Sequence, residues 1–127
     1  MSFERSLSIS DDIAEEINRE ARALSLNLLA GLTRVTPVDT GRARGNWFVG
    51  VNRTIRDIDK ERRARDAMSE GQSNIGQAAK LDYPEVVLSN NLPYIERLND
   101  GYSTQAPSKF IEKEIDRVVN AKRVIDG

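Results

Sequence analysis

Residues 36–47 read TPVDTGRARGNW and gather the side chains with the clearest binding chemistry in the chain. Arg42 and Arg44 carry guanidinium groups, whose planar fork pairs with a carboxylate through two parallel hydrogen bonds. The first twenty residues contain six acidic residues against two arginines, so another copy of the chain offers carboxylates for such pairs. Arg42 and Arg44 are therefore candidates for a contact between subunits.

The same stretch also has the chemistry of a rigid turn. A proline cannot continue a helix, Asp and Thr side chains bond nearby backbone donors, and glycine accepts a positive φ angle. On this interpretation the stretch is a stiff corner that turns a helix into a strand, and its turn chemistry favours this over a contact surface. The residues of the predicted corner are Pro37, Asp39, Thr40 and Gly41.

Catalytic chemistry has little support in the composition. Glu96 could act as a general acid beside Tyr94 or Lys80, but the chain has no histidine and no cysteine. This excludes disulfides, zinc sites built from Cys and His, cysteine nucleophiles and histidine bases. Because a phosphate-binding loop and a clustered acidic motif are also missing, we expect no enzymatic activity, no metal and no cofactor.

Length and composition predict a single domain over residues 1–127. The chain is 39% apolar and 31% charged, and its formal net charge is −1. No apolar run approaches the ~18 residues that a membrane span needs, and the first residues lack the apolar region of a signal peptide. We expect a soluble protein that stays in the cell producing it. The small apolar share also fits a subunit that completes its burial in an assembly.

Charge is unevenly distributed along the chain. Residues 53–66 hold six basic residues against four acidic ones, whereas the first twenty residues are acidic. Segments of opposite charge can orient a contact between copies. Arg62, Arg63 and Arg65 could instead contact DNA, but the interleaved acids and the lack of interleaved aromatics favour a solvated surface.

Apolar residues at three- and four-residue steps predict a long first helix. It begins after Ser10, which can cap it, and ends near Val35, because Pro37 cannot continue it. Residues 1–10 are then an N-terminal arm. Further helices are predicted over residues 93–98 and 107–124.

Alternating apolar residues predict a strand at 46–56, and the short run Glu-Val-Val-Leu-Ser at 85–89, stopped by Asn90 and Asn91, predicts a second. Trp47 and Phe48 point to opposite faces of the first strand. We expect Trp47 in the core beneath the first helix, whereas Phe48 is either core or interface. Residues 57–82 are charged and then rich in Gly, Ser and Gln, which indicates a flexible or partly helical insertion.

These elements predict an α+β fold, in which the long N-terminal helix and the C-terminal helix pack on a small antiparallel sheet, with a flexible middle segment. The apolar positions that face inward in this arrangement form the predicted core. They are Ile13, Ile17, Leu24, Leu28, Trp47, Val49, Val87, Leu98, Ile111 and Ile115.

Two motifs resemble those of the neck or tail-completion proteins of long-tailed bacteriophages, a family that includes head–tail joining and minor tail components of lambda-like phages. The first is TPVDTGRARGNW at 36–47, and the second is SNNLPYIERLNDGYS at 89–103 followed by QAP at 105–107. The family pairs such a corner after a long first helix with such a segment before a last helix. The resemblance therefore covers roughly residues 10–120.

This chain departs from the family pattern at a few positions. Ala43 stands where the family often has a bulky apolar residue, and Asn46 stands where it often has serine. Asn99 or Asp100 stands where it often has glutamate. These changes are mild, and they bear on individual contacts more than on membership.

The resemblance implies a virion structural role at the interface between head and tail. The chain, made in the bacterial cytoplasm, would form a homo-oligomeric ring, a hexamer in the virion, that joins tail to head. Phage connector or adaptor proteins and tail terminator or tail-tube proteins would be its neighbours. Genomic DNA would pass through the lumen without sequence-specific binding, and no membrane would be involved. Candidate interface residues are Arg42, Arg44, Phe48, Tyr94, Glu96 and Tyr102.

Two other functions remain open on the sequence. One is a phage tail terminator, a ring that stops growth of the tail tube. The other, from a different class, is a small intracellular module that binds protein through the basic middle segment.

Overall fold

Helices and one small sheet make up the part of the chain that the computed structural model describes. That part comprises the backbone of residues 2–37, 42–101 and 106–126, and the side chains of residues 13–37, 42–101 and 106–121. In chain order the elements are α1 (Ser2–Val35), α2 (Arg42–Gly45), β1 (Trp47–Val51), α3 (Ala64–Gln77), a 3₁₀ turn (Ala78–Lys80), β2 (Val86–Asn90), α4 (Ile95–Asn99) and α5 (Phe110–Asp126). The fold is α+β with a long first helix and a C-terminal helix, which confirms the predicted class.

Helix α1 is longer than the sequence pattern predicts. It begins at Ser2 rather than after Ser10, so the predicted N-terminal arm is helical. Residues 2–10 contain no proline and no glycine, and nothing in them interrupts a helix. The helix ends at Val35 as predicted, ahead of Pro37. At 34 residues it is about 51 Å long.

The sheet formed by the described residues has two antiparallel strands. β1 pairs with β2 in a register that sets Trp47 opposite Asn90 and Val51 opposite Val86. β1 stops at Val51, short of the predicted end at residue 56, because Asn52 takes a positive φ of 59°. The Asn52 side chain accepts a hydrogen bond from the Glu85 amide at 2.8 Å, which closes this end of the ladder.

Segment 57–82 contains α3, which packs into the core. The prediction of a partly helical insertion is therefore confirmed, and the alternative prediction of a flexible insertion is wrong. Helix α3 packs between α1 and β1 through a row of small or apolar residues spaced by four. Ala67 is fully buried, and Ile75 is 1% exposed. Between them, a Cβ on Gly71 would lie 2.4 Å from a Leu29 methyl group, so this glycine permits the close approach of the helices. In the sequence it resembles a loop glycine.

Helices α4 and α5 are joined through Asn99. Its side-chain oxygen accepts a hydrogen bond from the Ile111 amide at 2.9 Å, and its carbonyl accepts one from the Lys109 amide at 2.5 Å. These bonds satisfy amides in the first turn of α5, which would otherwise lack partners. Helix α5 therefore begins at Phe110, later than the predicted start at residue 107.

Helix α1 turns a different face to the core from the one that its apolar stripe predicts. Ile13 and Ile17 are 50% and 45% exposed, so their core assignment is wrong. The buried face carries Leu29 and Leu32 but also Asn18, which is 4% exposed. The Asn18 amide donates to the carbonyls of Ala78 and Leu81 at 2.8 and 2.5 Å. A polar residue with satisfied hydrogen bonds fits this face, and apolar periodicity cannot identify it.

The other core predictions divide by burial. Trp47 and Val49 are buried as predicted, at 5% and 1% exposure. Ile115 is 37% exposed, so its assignment to the core is wrong. Leu24, Leu28, Val87, Leu98 and Ile111 are half-buried.

Candidate functional site

The carboxyl end of α1 is closed by side chains from the corner at residues 36–47. Thr36 is fully buried, donates through its hydroxyl to the Leu32 carbonyl at 2.6 Å and accepts from Trp47 Nε1 at 2.9 Å. This satisfies the indole N–H, which has to find a partner when the ring is buried. Pro37 is also buried, as a structural corner requires. The other predicted corner residues, Asp39, Thr40 and Gly41, lie outside the described residues.

Arg44 binds the same helix end. Its Nε donates to the Thr36 carbonyl at 2.6 Å, and its Nη2 donates to the Arg34 carbonyl at 2.8 Å. The last carbonyls of a helix lack intrahelical donors and carry partial negative charge, so a guanidinium there is favourable. The structure thus gives Arg44 a capping role within its own chain, and its contact with a neighbouring subunit stays a prediction.

Asn46 joins the corner to the segment after β1. It is fully buried, and its amide group donates to the carbonyls of Arg42 and Asp59 at 2.7 and 2.9 Å. Its side-chain oxygen accepts from the Asp59 amide at 2.9 Å. A serine, which the resembling family often has here, has only one hydroxyl and could not make all three bonds.

A buried arginine lies under the corner and was missed by the sequence analysis. Arg62 is 6% exposed, and its Nη1 donates to the carbonyls of Gly45 and Trp47 at 3.1 and 2.8 Å. Its guanidinium carbon lies 3.9 Å from the centre of the Phe48 ring, a cation–π distance. Glu70 Oε1 lies 3.3 Å from its Nη2. Arg62 is thus a buried structural cation, so its predicted place on a solvated surface is wrong.

Phe48 belongs to the core, where the sequence left core and interface both open. It is 5% exposed and covered by Arg62. Gly45 explains how the arginine reaches this position, because a Cβ there would lie 1.9 Å from the Arg62 carbonyl oxygen. The close backbone approach therefore requires glycine.

The two motifs, far apart in the sequence, form one packed unit. Asn90 donates through its side-chain amide to the Ala43 carbonyl at 2.9 Å. Ala43 is 1% exposed and packs in a cluster with Leu92, Ile95 and Phe110. A bulky side chain in place of Ala43 would compete for this volume. The corner and the segment 89–101 are thus fastened to each other and to the first turn of α5.

The remaining interface candidates lie at different depths on this unit. Arg42 and Glu96 are exposed, whereas Tyr94 is half-buried against the cluster around Ala43. Tyr102 lies outside the described residues. Arg42 and Glu96 are the described candidates that a partner can reach most easily.

A buried carboxylate, Glu114, joins α5 to α1. Arg117 donates to both of its oxygens, at 2.8 and 2.6 Å, and Arg34 donates to one of them at 3.3 Å. The Arg117 hydrogen bonds hold the pKa of Glu114 below its ordinary value despite burial, which acts in the opposite direction, and the Arg34 charge also lowers it. A carboxylate held ionised in this way cannot serve as a general acid. Glu114 is a structural anion.

Gly31 makes room for this carboxylate. A Cβ on Gly31 would lie 2.0 Å from Glu114 Oε2, so a glycine in a helix interior is explained by close packing rather than by a helix end. Beside it, Ala30, Arg34 and Val118 line a groove of about 360 Å³ between α1 and α5.

Two features are absent from the described residues. No group of three or more His, Cys, Asp or Glu side chains among them is arranged to hold a metal ion. Nor is any helix in the described part of the chain both long enough and apolar enough to cross a membrane.

Comparison with known proteins identifies no relative. No family model, no curated protein and no solved structure matches the chain significantly.

Proposed function

We propose that the chain is a structural protein of a bacteriophage virion, a neck or tail-completion protein that forms a ring between head and tail. The proposal rests on the two motifs at 36–47 and 89–107, which resemble those of that protein family. Their order relative to a long first helix and a last helix is the order that the family has. A ring, proposed as a hexamer, would join tail to head and let DNA pass through its lumen without reading its sequence.

One observation carries the proposal furthest. The two motifs are in direct contact, through the hydrogen bond from Asn90 to Ala43 and the cluster of Ala43, Leu92 and Ile95. Their contact supports treating them as one structural unit, with α1 on one side and α5 on the other.

The proposed role requires a rigid subunit and exposed surfaces through which subunits can associate. The corner supplies the rigid body, because its buried polar groups are bound on several sides. The exposed surfaces contain large apolar side chains, and exposed apolar side chains favour association. They are Ile13, Ile17, Ile58, Leu81, Tyr83 and Ile115.

We further propose that the chain is not an enzyme. Its best candidate, Glu96, is exposed at the start of a short helix. The buried carboxylate Glu114 is bound by two arginines. The hydrogen bonds from Arg117 lower the pKa of Glu114, whereas general acid catalysis near neutral pH needs a raised carboxyl pKa.

The test is deletion of the gene in the genome that encodes the chain. If that genome is a phage, the neck role predicts DNA-filled heads and separate tails of normal length, seen by electron microscopy. Joined particles at normal yield would overturn the proposal. Tails of uncontrolled length would instead indicate the terminator role. A plasmid copy of the gene should restore joined particles, which controls for effects on neighbouring genes.

A further inference from the structure

Backbone hydrogen bonds alternate along the β1–β2 ladder, so each strand also has backbone groups that point away from the other. The Asn52 amide donates to the Glu85 carbonyl at 2.7 Å, in continuation of the register of the sheet. Because hydrogen-bonded pairs recur at every second residue of an antiparallel ladder, this pair fixes which residues point their backbone groups outward. They are Trp47, Val49 and Val51 in β1 and Val86, Leu88 and Asn90 in β2.

Side chains close the outer edge of β1. Arg62 Nη1 donates to the outward carbonyl of Trp47 at 2.8 Å. The side-chain amide of Asn74, on α3, donates to the outward carbonyl of Val49 at 3.0 Å. A further strand could add to this edge only by displacing both side chains.

The outer edge of β2 is open. No hydrogen bond between described residues involves the outward backbone groups of Val86, Leu88 or Asn90. All five residues of β2 are half-buried, so solvent reaches this strand. Proteins commonly protect such an edge with charged residues, proline or a bulge, and β2 has none of these. Its alternating donors and acceptors match one kind of partner, another β-strand.

Exposed apolar residues lie at both ends of β2. Leu81 and Tyr83 precede the strand and are 41% and 59% exposed, and Pro93 follows it and is also exposed. The Asn18 amide holds the turn before the strand through the Leu81 carbonyl. Tyr83 takes a positive φ of 47°, which is unfavourable for a bulky residue. Backbone strain of this kind is common at binding sites, where the surrounding structure enforces it.

A second copy of β2 matches this edge. The outward residues are symmetric about Leu88, so antiparallel pairing of two β2 strands sets Leu88 opposite its equivalent and Val86 opposite Asn90. Each outward amide and carbonyl then has a partner in the other copy. Because the edge of β1 is closed, β2 is the strand edge within the described residues that a copy can offer.

The ends of the strand fit the same arrangement. The antiparallel direction brings the Tyr83 turn of each copy to the Pro93 end of the other, so that exposed apolar residues meet. Charge does not oppose the contact, because β2 is uncharged and Glu85 lies opposite the neutral Asn91. A neutral, self-complementary strand favours a second copy over a charged partner.

We propose that two copies of the chain pair through β2 about a twofold axis at Leu88, which forms a continuous four-stranded antiparallel sheet. Tyr83 of each copy packs against Pro93 of the other. A twofold contact closes at two copies, so a ring requires a further surface. The inference concerns the free chain and does not rest on the proposed function.

Sedimentation velocity of the purified chain tests the association. The proposal predicts a mass that rises with concentration to twice the 14.2 kDa of one chain. Tyr83→Asn removes the aromatic ring and suits a positive φ, so it should raise the dissociation constant about tenfold or more without lowering the melting temperature. Ile115→Asn removes an exposed apolar side chain from α5 and is the matched control, which should leave the dissociation constant unchanged.

Hydrogen exchange at single amides, measured by NMR, tests where the copies meet. The amides of Val86, Leu88 and Asn90 should exchange about tenfold slower or more in the dimer than in a monomeric sample of the Tyr83→Asn protein. Val87 and Ser89 are controls within the same strand, because their amides point toward β1 in either state. Their exchange should be slow in both samples.

A nitroxide label on Glu85→Cys tests the direction of pairing, because the chain has no cysteine of its own. Antiparallel pairing about Leu88 separates the two labelled backbones by six residues of strand, about 20 Å, whereas parallel pairing in register brings them within about 5 Å. The shorter distance would overturn the proposal. A dimer in which the outward amides of β2 exchange as fast as in the monomer would overturn it too. A chain that stays monomeric at about 1 mM would also do so, and would leave the edge to a strand of a different protein.

Discussion

At the scale of single residues, Arg62 joins the corner to β1. Its guanidinium donates to the carbonyls of Gly45 and Trp47 and covers the Phe48 ring. Replacing Arg62 with Met keeps the bulk but removes the charge-assisted donors from two carbonyls. We expect the free energy of unfolding to fall by about 3 kcal/mol in urea denaturation.

Arg63→Met is the matched control, because Arg63 is the next residue and is exposed. Its effect should stay within about 0.5 kcal/mol. Arg62→Lys should not restore stability, since an ammonium group lacks the planar guanidinium that lies over the Phe48 ring and the second nitrogen that lies near Glu70. Equal stability of the Arg62→Met and Arg63→Met proteins would show that the buried cation is dispensable.

Glu114 should make stability depend on pH in the acid range. Its pKa is lowered in the folded state by the hydrogen bonds from Arg117. A lowered folded pKa means that the stabilisation is complete above the unfolded value, about 4.3, and is lost as the pH falls through the folded value. The melting temperature of the wild type should thus fall more steeply below about pH 4.5 than the melting temperature of Glu114→Gln.

Glu85→Gln provides the comparison for this pH profile, because Glu85 is an exposed carboxylate. Its profile should follow the wild type. A Glu114→Gln profile parallel to the wild type would mean that the link between α1 and α5 does not depend on the carboxylate charge.

At the scale of elements, substitution by alanine should have opposite effects on stability at two glycines of α3. A Cβ at Gly71 would lie 2.4 Å from a Leu29 methyl group and 3.1 Å from a Val49 methyl group, whereas one at Gly76 meets nothing within 4 Å. Gly71→Ala should destabilise the protein by ~1–3 kcal/mol through overpacking of α3 against α1. Gly76→Ala should stabilise it by up to ~1 kcal/mol through helix propensity.

Chemical denaturation of both variants checks this contrast between the glycines. The same substitution in the same helix makes the contact, rather than the residue type, the cause of any difference. A stabilised Gly71→Ala protein would indicate that α3 does not pack closely on α1.

At the scale of the whole molecule, the two arginines of the corner should separate into different roles. Arg42 is exposed, whereas Arg44 binds the carbonyls that end α1. Arg42→Glu should change stability by no more than about 1 kcal/mol, yet reduce incorporation into assembled particles if this surface meets a neighbour. Arg44→Glu should lower the melting temperature, because it places a carboxylate beside the negative end of a helix.

Incorporation is measured as the amount of chain in purified particles relative to the major virion protein. Arg65→Glu, an exposed arginine on α3, controls for a general effect of charge reversal. If Arg42→Glu and Arg65→Glu incorporate equally well, Arg42 is ordinary surface.

The sequence by itself determined the features that depend on a few neighbouring residues. Pro37 ends α1 at Val35, short apolar runs identify both strands, and Trp47 is in the core as predicted. These features are local because backbone sterics and turn chemistry act within a turn or two of the chain.

Only the tertiary structure decided which long-range partner each side chain finds. Arg62 looks like one more cation in a charged run, yet it is buried under Gly45 and Phe48, and Arg44 caps a helix rather than reaching outward. Ile13 and Ile17 continue an apolar stripe, yet they are exposed because α1 turns its neighbouring face, with Ala14 and Asn18, to the core. Burial depends on which distant segments approach, and composition and period alone do not carry that information.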